Sequence, residues 1–279
     1  MKYIEIKAPA KINFGLNIVS KRSDGFHNLE TIFYPINDFF DVIKIDKSEH
    51  FLFTCDNPEL ENDKNNLILK AVKLLEKIYS KIFAVNIHLE KKIPIGAGLG
   101  GGSSDAAAVL ISLNEMFKLG IKHEQMINLA LELGSDVPFF IKAKPSIGTS
   151  RGEILKQIDL ELEYPILIIN PGIHISTKEA FQNITPKPSA YNYLSNGINK
   201  LDDWSMIKEN IKNDFEDYVF SKYPEVKYIK EKMYEYGSLF SLMSGSGSTV
   251  FGIFDTIEKA ELAYELFPGN YLKVISRNV

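Results

Sequence analysis

The sequence predicts an α+β protein in two lobes, and three observations lead there. Strand-like and helix-like segments are mixed along the 279 residues without the steady alternation of a parallel βαβ sheet. The first segment alternates in character for fifteen residues, from Ile4 to Ile18. A glycine-rich stretch near the middle of the chain runs directly into an alanine-rich helix. A chain of this length can bury a sizeable core as one large domain or two modest ones. The pattern restarts beyond residue 156, which sets the expected domains at 1–156 and 157–279.

Taken in order, Ile4, Ile6, Ala8, Ala10, Ile12, Phe14, Leu16 and Ile18 are apolar and all even-numbered, a period of two that specifies a half-buried strand or strand pair. Pro9 cannot donate to a ladder and marks an edge or a break. Glu5, Lys7, Lys11, Asn13 and Asn17 share the other face, so Lys11 and Asn13 project side by side. Asp24-Gly25 is a turn signal. Leu67, Ile68, Ala71, Leu74, Leu75 and Ile78 form one stripe of a helix over Asn65–Tyr79. Val85, Ile87 and Leu89 make a strand, Ser103–Phe117 and Glu124–Leu133 two helices, with Gly134 ending the second. Ile166–Ile169 reads as a buried strand, Lys178–Asn183 and Glu225–Tyr236 as helices, and Leu239–Phe254 as a hairpin. Ile257–Phe267 is a helix, Tyr271–Ile275 a last strand, and Thr185–Asn199 a polar surface connection.

Composition excludes several classes of function. A hydrophobic fraction of 45% with 24% charged residues is that of an ordinary globular protein. A net charge of −4 argues against nucleic acid as the partner. Cys55 is the only cysteine, so there is no intrachain disulfide and no cysteine metal cluster, which suits a reducing compartment. Met1–Lys11 lacks a signal-peptide core, and no run reaches the roughly 18 apolar residues that span a bilayer. The chain therefore reads as cytoplasmic, with no membrane association, and nothing in it predicts a protein partner.

The chemistry is concentrated in Pro94-Ile95-Gly96-Ala97-Gly98-Leu99-Gly100-Gly101-Gly102-Ser103-Ser104. Five glycines in seven residues let main-chain N–H groups approach a ligand without Cβ obstruction. The helix that follows adds unpaired N–H donors and a partial positive charge, a setting that favours phosphate. Ser103 and Ser104 can donate hydroxyls or cap that helix. No Gly-Lys-Ser/Thr follows, so this is not a Walker A loop. Gly96-x-Gly98-x-x-Gly101 fits the bare dinucleotide fingerprint. The second strand ending in an acidic residue is missing, because that distance lands at Ile121–Gln125 between two helices. Single residues elsewhere carry plain readings when taken alone: Lys11 a surface lysine, Asp136 a turn or cap, His27 an exposed loop residue. Ser244–Thr249 reads as a tight hairpin turn, and its alternation of Gly with hydroxyls also suits close approach to phosphate or to another glycine loop.

Taken together, Pro9–Asn13, Pro94–Ser104, Gly134-Ser-Asp-Val-Pro138 and Gly245–Thr249 resemble, in order and spacing, the signature segments of the GHMP small-molecule kinases. Arg22–Asn28, Gly152-Glu153 and Pro171–Thr177 narrow the likeness to members that phosphorylate a cytidyl-diphosphate sugar alcohol, and it runs over nearly the whole chain. The resemblance implies an N-terminal lobe like ribosomal protein S5 domain 2, a ferredoxin-like C-terminal lobe and a site in the cleft between them. It implies that ATP phosphates lie in the Pro94–Ser104 loop and that the small-molecule acceptor is the 2-hydroxyl of a methylerythritol unit, on a route to isoprenoid precursors. Carried over by position, Asp136 is the base and Lys11 its partner. Asn13, Phe26, His27, Thr177 and Phe181 contact the substrate. An alcohol is a poor nucleophile at neutral pH, so a carboxylate within hydrogen-bond reach takes its proton as the P–O bond forms. A neighbouring ammonium keeps that carboxylate ionised. Mg²⁺ accompanies ATP, with Ser104 a candidate contact and the metal ligands left open.

Phe26 departs from the tyrosine common at that place: it can stack on a base but cannot donate a hydrogen bond. The competing readings are another GHMP kinase, acting on homoserine, mevalonate or a sugar, a nicotinamide-dependent oxidoreductase, and a catalytically silent nucleotide-binding module. If the strand's polar face lies outside the core, Lys11→Ala lowers turnover with little change in stability.

Overall fold

The N-terminal alternation becomes one strand, β1 (Tyr3–Lys21), which runs through Pro9 without a break. The computed structural model describes residues 2–188 and 203–277. The polar connection expected over 185–199 lies outside the described residues from position 189 onward. After the turn at Asp24-Gly25 comes a second long strand, β2 (His27–Lys47), which pairs with β1. Its alternation is hidden because residues 31–36 are buried on both faces and Pro35 and Asn37-Asp38 imitate a turn.

Packing divides the chain into two compact units, neither continuous in sequence. The first comprises Met1–Ala10, Phe39–Pro94 and Gly100–Ala143. Here the second half of β2 pairs antiparallel with β4 (Val85–Glu90), with Val42 opposite Glu90 and Lys47 opposite Val85. β3 (Leu52–Cys55) runs parallel to β4. The helices are α1 (Pro58–Asn62), α2 (Leu67–Tyr79), α3 (Gly101–Phe117), α4 (His123–Leu133) and α5 (Val137–Phe140). Asn66 starts α2 by accepting from the Ile68 N–H, and Ile68, Ala71, Val72 and Leu75 are its buried stripe. α3 is apolar all round from Ala106 to Leu110, as befits a helix packed against α2, α4 and α5 at once.

The second unit comprises Lys11–Asp38, Ile95–Leu99 and Lys144–Val279. Thr31–Phe33 of β2 pair antiparallel with β5 (Ser146–Thr149), which pairs with β6 (Ile154–Gln157). The rest is a four-stranded antiparallel sheet of β7 (Ile166–Asn170), β8 (Phe240–Met243), β9 (Val250–Ile253) and β10 (Leu272–Ser276), in the order β10-β7-β9-β8. Helices α6 (Thr177–Gln182), α7 (Trp204–Asn210), α8 (Glu216–Lys222) and α9 (Pro224–Glu235) stand between β7 and β8. α10 (Ile257–Leu266) stands between β9 and β10. Strand–helix–strand–strand–helix–strand in that spatial order is the ferredoxin-like arrangement, as expected. Its core joins Leu16 and Ile18 of β1 to Leu167, Ile169, Phe215, Val226, Ile229, Met233 and Phe254. Each such side chain contributes about 1.5–3 kcal/mol by leaving water.

One expectation is corrected here. The odd-numbered face of β1 is not a solvated face: Lys11 is 3% and Asn13 2% exposed. The register of charged and apolar residues is right, but both faces of the strand are covered from Ala10 to Ile18.

Candidate active site

Lys11, Asn13 and the tip of the glycine loop are drawn together inside the second unit by main-chain and side-chain hydrogen bonds. The Lys11 N–H donates to the Leu99 carbonyl at 2.9 Å, fastening β1 to the loop tip. Its ammonium donates to Asn13 Oδ1 and, at 2.9 Å, to the Gly98 carbonyl. Asn13 Nδ2 donates to Thr31 Oγ1 at 2.9 Å, and that hydroxyl donates to the Gly15 carbonyl at 2.6 Å, which fixes the orientation of the amide.

The small-residue stretch between β8 and β9 backs the loop tip. Ser244 Oγ accepts from the Asn13 N–H at 3.1 Å and donates to the Gly98 carbonyl at 2.9 Å. Gly98 has φ +80°, and a Cβ there would lie 2.0 Å from the Ser244 carbonyl oxygen. Nothing but glycine fits. Gly247 makes the matching approach from the other side, where a Cβ would lie 2.4 Å from the Gly98 nitrogen. The two glycine segments therefore interlock. Thr31 is a contributor that sequence reasoning gives no role. The close approach to another glycine loop that the alternation of Gly with hydroxyls over Ser244–Thr249 suits is found, though nothing in the sequence marks which hydroxyl faces the loop.

The shoulders of the glycine loop belong to the first unit. Gly100, at φ 74° and ψ 13°, is the N-cap of α3, which takes in Gly101, Gly102, Ser103 and Ser104 as its first turn. No side chain caps it, so the capping role expected of Ser103 or Ser104 is not found: both lie inside the helix rather than before it. The buried Ser104 hydroxyl has no hydrogen-bond partner. Next to it Asp105 is buried, and burial pushes its carboxyl up to about 8, with Lys91 opposing and Asp41 adding to the shift. Lys91 itself is raised: burial pulls it down, but Asp105 and Asp41 outweigh that. Asp136 also belongs to the first unit, at the N-cap of α5 with φ −84° and ψ −16°.

The remaining expected contacts lie in the second unit. His27 is 9% exposed and stacks on Phe181, with ring centroids 5.1 Å apart and planes at 22°. It is not an exposed loop residue. Burial, with Lys21 nearby, lowers its pKa and favours the neutral ring. Phe181 is held edge-on by Phe215 at 4.9 Å. Phe26 is 50% exposed, its ring covered by the Arg151 guanidinium at 4.7 Å. The turn carrying it is built by Asp24, which accepts from the Phe26 N–H and pairs with Arg22, and by Ser150, which accepts from Arg22 at 2.9 Å. Glu153 in turn accepts from Ser150 Oγ and the Arg151 N–H. Thr177, the first residue of α6, accepts from Ser246 Oγ at 3.0 Å.

Among the described residues, no three His, Cys, Asp or Glu side chains could hold a metal ion by themselves, and no helix is long and apolar enough to cross a membrane.

Comparison with known proteins gives a consistent picture. The GHMP kinases N terminal domain matches residues 66–144, and the GHMP kinases C terminal domain matches residues 198–271. A Chlorobium phaeobacteroides protein named 4-diphosphocytidyl-2-C-methyl-D-erythritol kinase is 40% identical over 266 residues, covering 93% of this chain and 90% of its own length. A Bacteroides thetaiotaomicron protein of the same name is 43% identical, covering 88% of this chain and 90% of its own. A crystal structure of 4-(cytidine 5'-diphospho)-2C-methyl-D-erythritol kinase superposes with a TM-score of 0.80 at 31% identity, over 98% of each chain. Homoserine kinase from Cytophaga hutchinsonii shares the fold, with a TM-score of 0.77 at 18% identity, over 99% of this chain and 95% of its own.

Proposed function

The chain belongs to the family of 4-diphosphocytidyl-2-C-methyl-D-erythritol kinases within the GHMP kinases, and we propose that it moves the γ-phosphoryl of ATP onto the 2-hydroxyl of that diphosphocytidyl alcohol. The observation that carries the reading is the hydrogen bond from the Lys11 ammonium to the Gly98 carbonyl, which ties a cation to the phosphate loop itself. An ammonium held there faces the charge of a triphosphate, and Asn13 holds it in a single orientation.

The division of labour follows from the chemistry. Residues 94–104 cradle the phosphates through main-chain amides and the N-terminus of α3. Asp136 takes the proton of the acceptor hydroxyl as the new P–O bond forms, and Lys11 offsets charge on the reacting oxygens. Asn13 and Thr177 orient the acceptor. His27, Phe181 and Phe26 offer aromatic surface to the cytosine, the neutral His27 ring in a stack and Phe26 without a hydroxyl. This assignment goes with domains at 1–156 and 157–279, each containing one of the two matched family segments. The orphaned Ser104 hydroxyl would hold Mg²⁺ together with the bound nucleotide, and the ion would neutralise phosphate charge there.

Coupled ADP release tests the reading with the diphosphocytidyl alcohol set against homoserine, mevalonate and galactose. We expect turnover with the first alone. Equal or faster release with any other would overturn it. Asp136→Asn should lose about 10²–10⁴ in turnover while still binding ATP, and full activity in that variant would remove the base assignment.

A further inference from the structure

The first unit holds a buried ionic group to which neither the reaction nor any motif assigns a role. Asp41 and Asp105, 0% and 3% exposed, face the ammonium of Lys91. Lys91 donates to Asp41 Oδ2 and, at 3.0 Å, to Asp105 Oδ2. The other oxygen of Asp41 accepts from the main-chain N–H groups of Lys92 and Ile93 at 2.6 and 2.8 Å. These contacts are not spread at random. Lys91 to Ile93 form the approach to Pro94, and Asp105 lies in the first turns of α3, just past Ser104. One ammonium therefore fastens the two shoulders of the glycine loop to each other and to β2. Gly101 leaves room for it: a Cβ there would lie 2.7 Å from Lys91 Nζ and 2.9 Å from Ile93 Cγ2.

The choice of ionisable groups needs a reason, because burying three of them costs more than an apolar set of the same size. Apolar contact holds elements together but is non-directional. Hydrogen bonds from one ammonium to two carboxyl groups fix distance and angle. We propose that Lys91 is a positioning residue for phosphoryl transfer: it sets the separation of the loop's shoulders and so the aim of the loop's amides at the ATP phosphates. The proposal rests on the reading that residues 94–104 hold those phosphates.

Lys91→Met tests it, with KM measured separately for ATP and for the diphosphocytidyl alcohol. We expect the ATP KM to rise about tenfold or more, the alcohol KM to stay within about twofold, and turnover to fall. Lys91→Met leaves two carboxyl groups buried together without their cation, so Lys91→Met/Asp105→Leu is measured beside it. The double variant should melt at a higher temperature than the single one and still show the raised ATP KM. It carries the same comparison if the single variant is too unstable to assay. A parental ATP KM in Lys91→Met, or its return to the parental value in the double variant, would show the triad to be mere packing and overturn the inference. A parent chain that turns over no ATP would instead overturn the kinase reading, and this inference with it.

Discussion

Lys11, to which a part in the phosphoryl transfer is proposed, also carries structure. Its ammonium is buried and satisfies Asn13 Oδ1 and the Gly98 carbonyl, so removing it leaves two acceptors short of a donor. Lys11→Met should destabilise the chain by about 1–3 kcal/mol in urea melts and lower turnover about a hundredfold or more. A parental melt would mean that water replaces the ammonium. At Gly98 the argument is steric. With φ +80° and the Ser244 carbonyl where a Cβ would go, Gly98→Ala must push the two glycine segments apart. ATP binding, followed by fluorescence of an ATP analogue, should weaken about tenfold or more. Gly25→Ala serves as the control, because a Cβ there meets nothing within 4 Å although φ is likewise positive.

At the scale of elements, the first turns of α3 carry a titration. The Asp105 carboxyl stands at about 8 against an ordinary 3.8. Between those values the folded chain keeps a proton that the unfolded chain has lost, so this group makes stability fall as pH rises from about 4 to 8. Asp105→Asn keeps an acceptor for Lys91 and cannot ionise. Urea melts with EDTA present should find it more stable than the parent by on the order of 1–3 kcal/mol at pH 8, the difference closing towards pH 4. A constant gap across that range would remove the titration from the account. The elements themselves were unevenly legible. β1 follows from its alternation of apolar with polar residues, α2 and α4 from their apolar stripes, α3 from the alanine-rich run after the glycines, β7 from an unbroken apolar run, and β8 and β9 from the small-residue turn between them. β2 does not, since its first half is buried on both sides and a proline sits in it. β3, β5 and β6 have four residues each, too few for a period to register. Within the site, the glycine loop declares itself in sequence, whereas Lys11 taken alone reads as a surface lysine and gains a role only through the family resemblance. The loop tip that Lys11 grips is backed by Ser244 and Gly247, which only long-range folding brings near.

For the whole molecule, nucleotide should act as a stabiliser by mass action. Mg-ATP at about a hundred times its dissociation constant adds roughly 2.7 kcal/mol to the state that binds it, several degrees in melting temperature, whereas NAD should add nothing. A shift with NAD alone would revive the dinucleotide reading of Gly96–Gly101. The Ser244–Gly98 hydrogen bond joins positions 146 residues apart, and this bears on biosynthesis. Translation delivers the five glycines long before it delivers the serine that braces them. A ribosome stalled short of codon 244 would display a nascent chain whose loop tip has no backing and whose Asn13 main-chain N–H lacks the Ser244 acceptor. On the proposed reading of residues 94–104, competence to grip a triphosphate thus arrives late in synthesis.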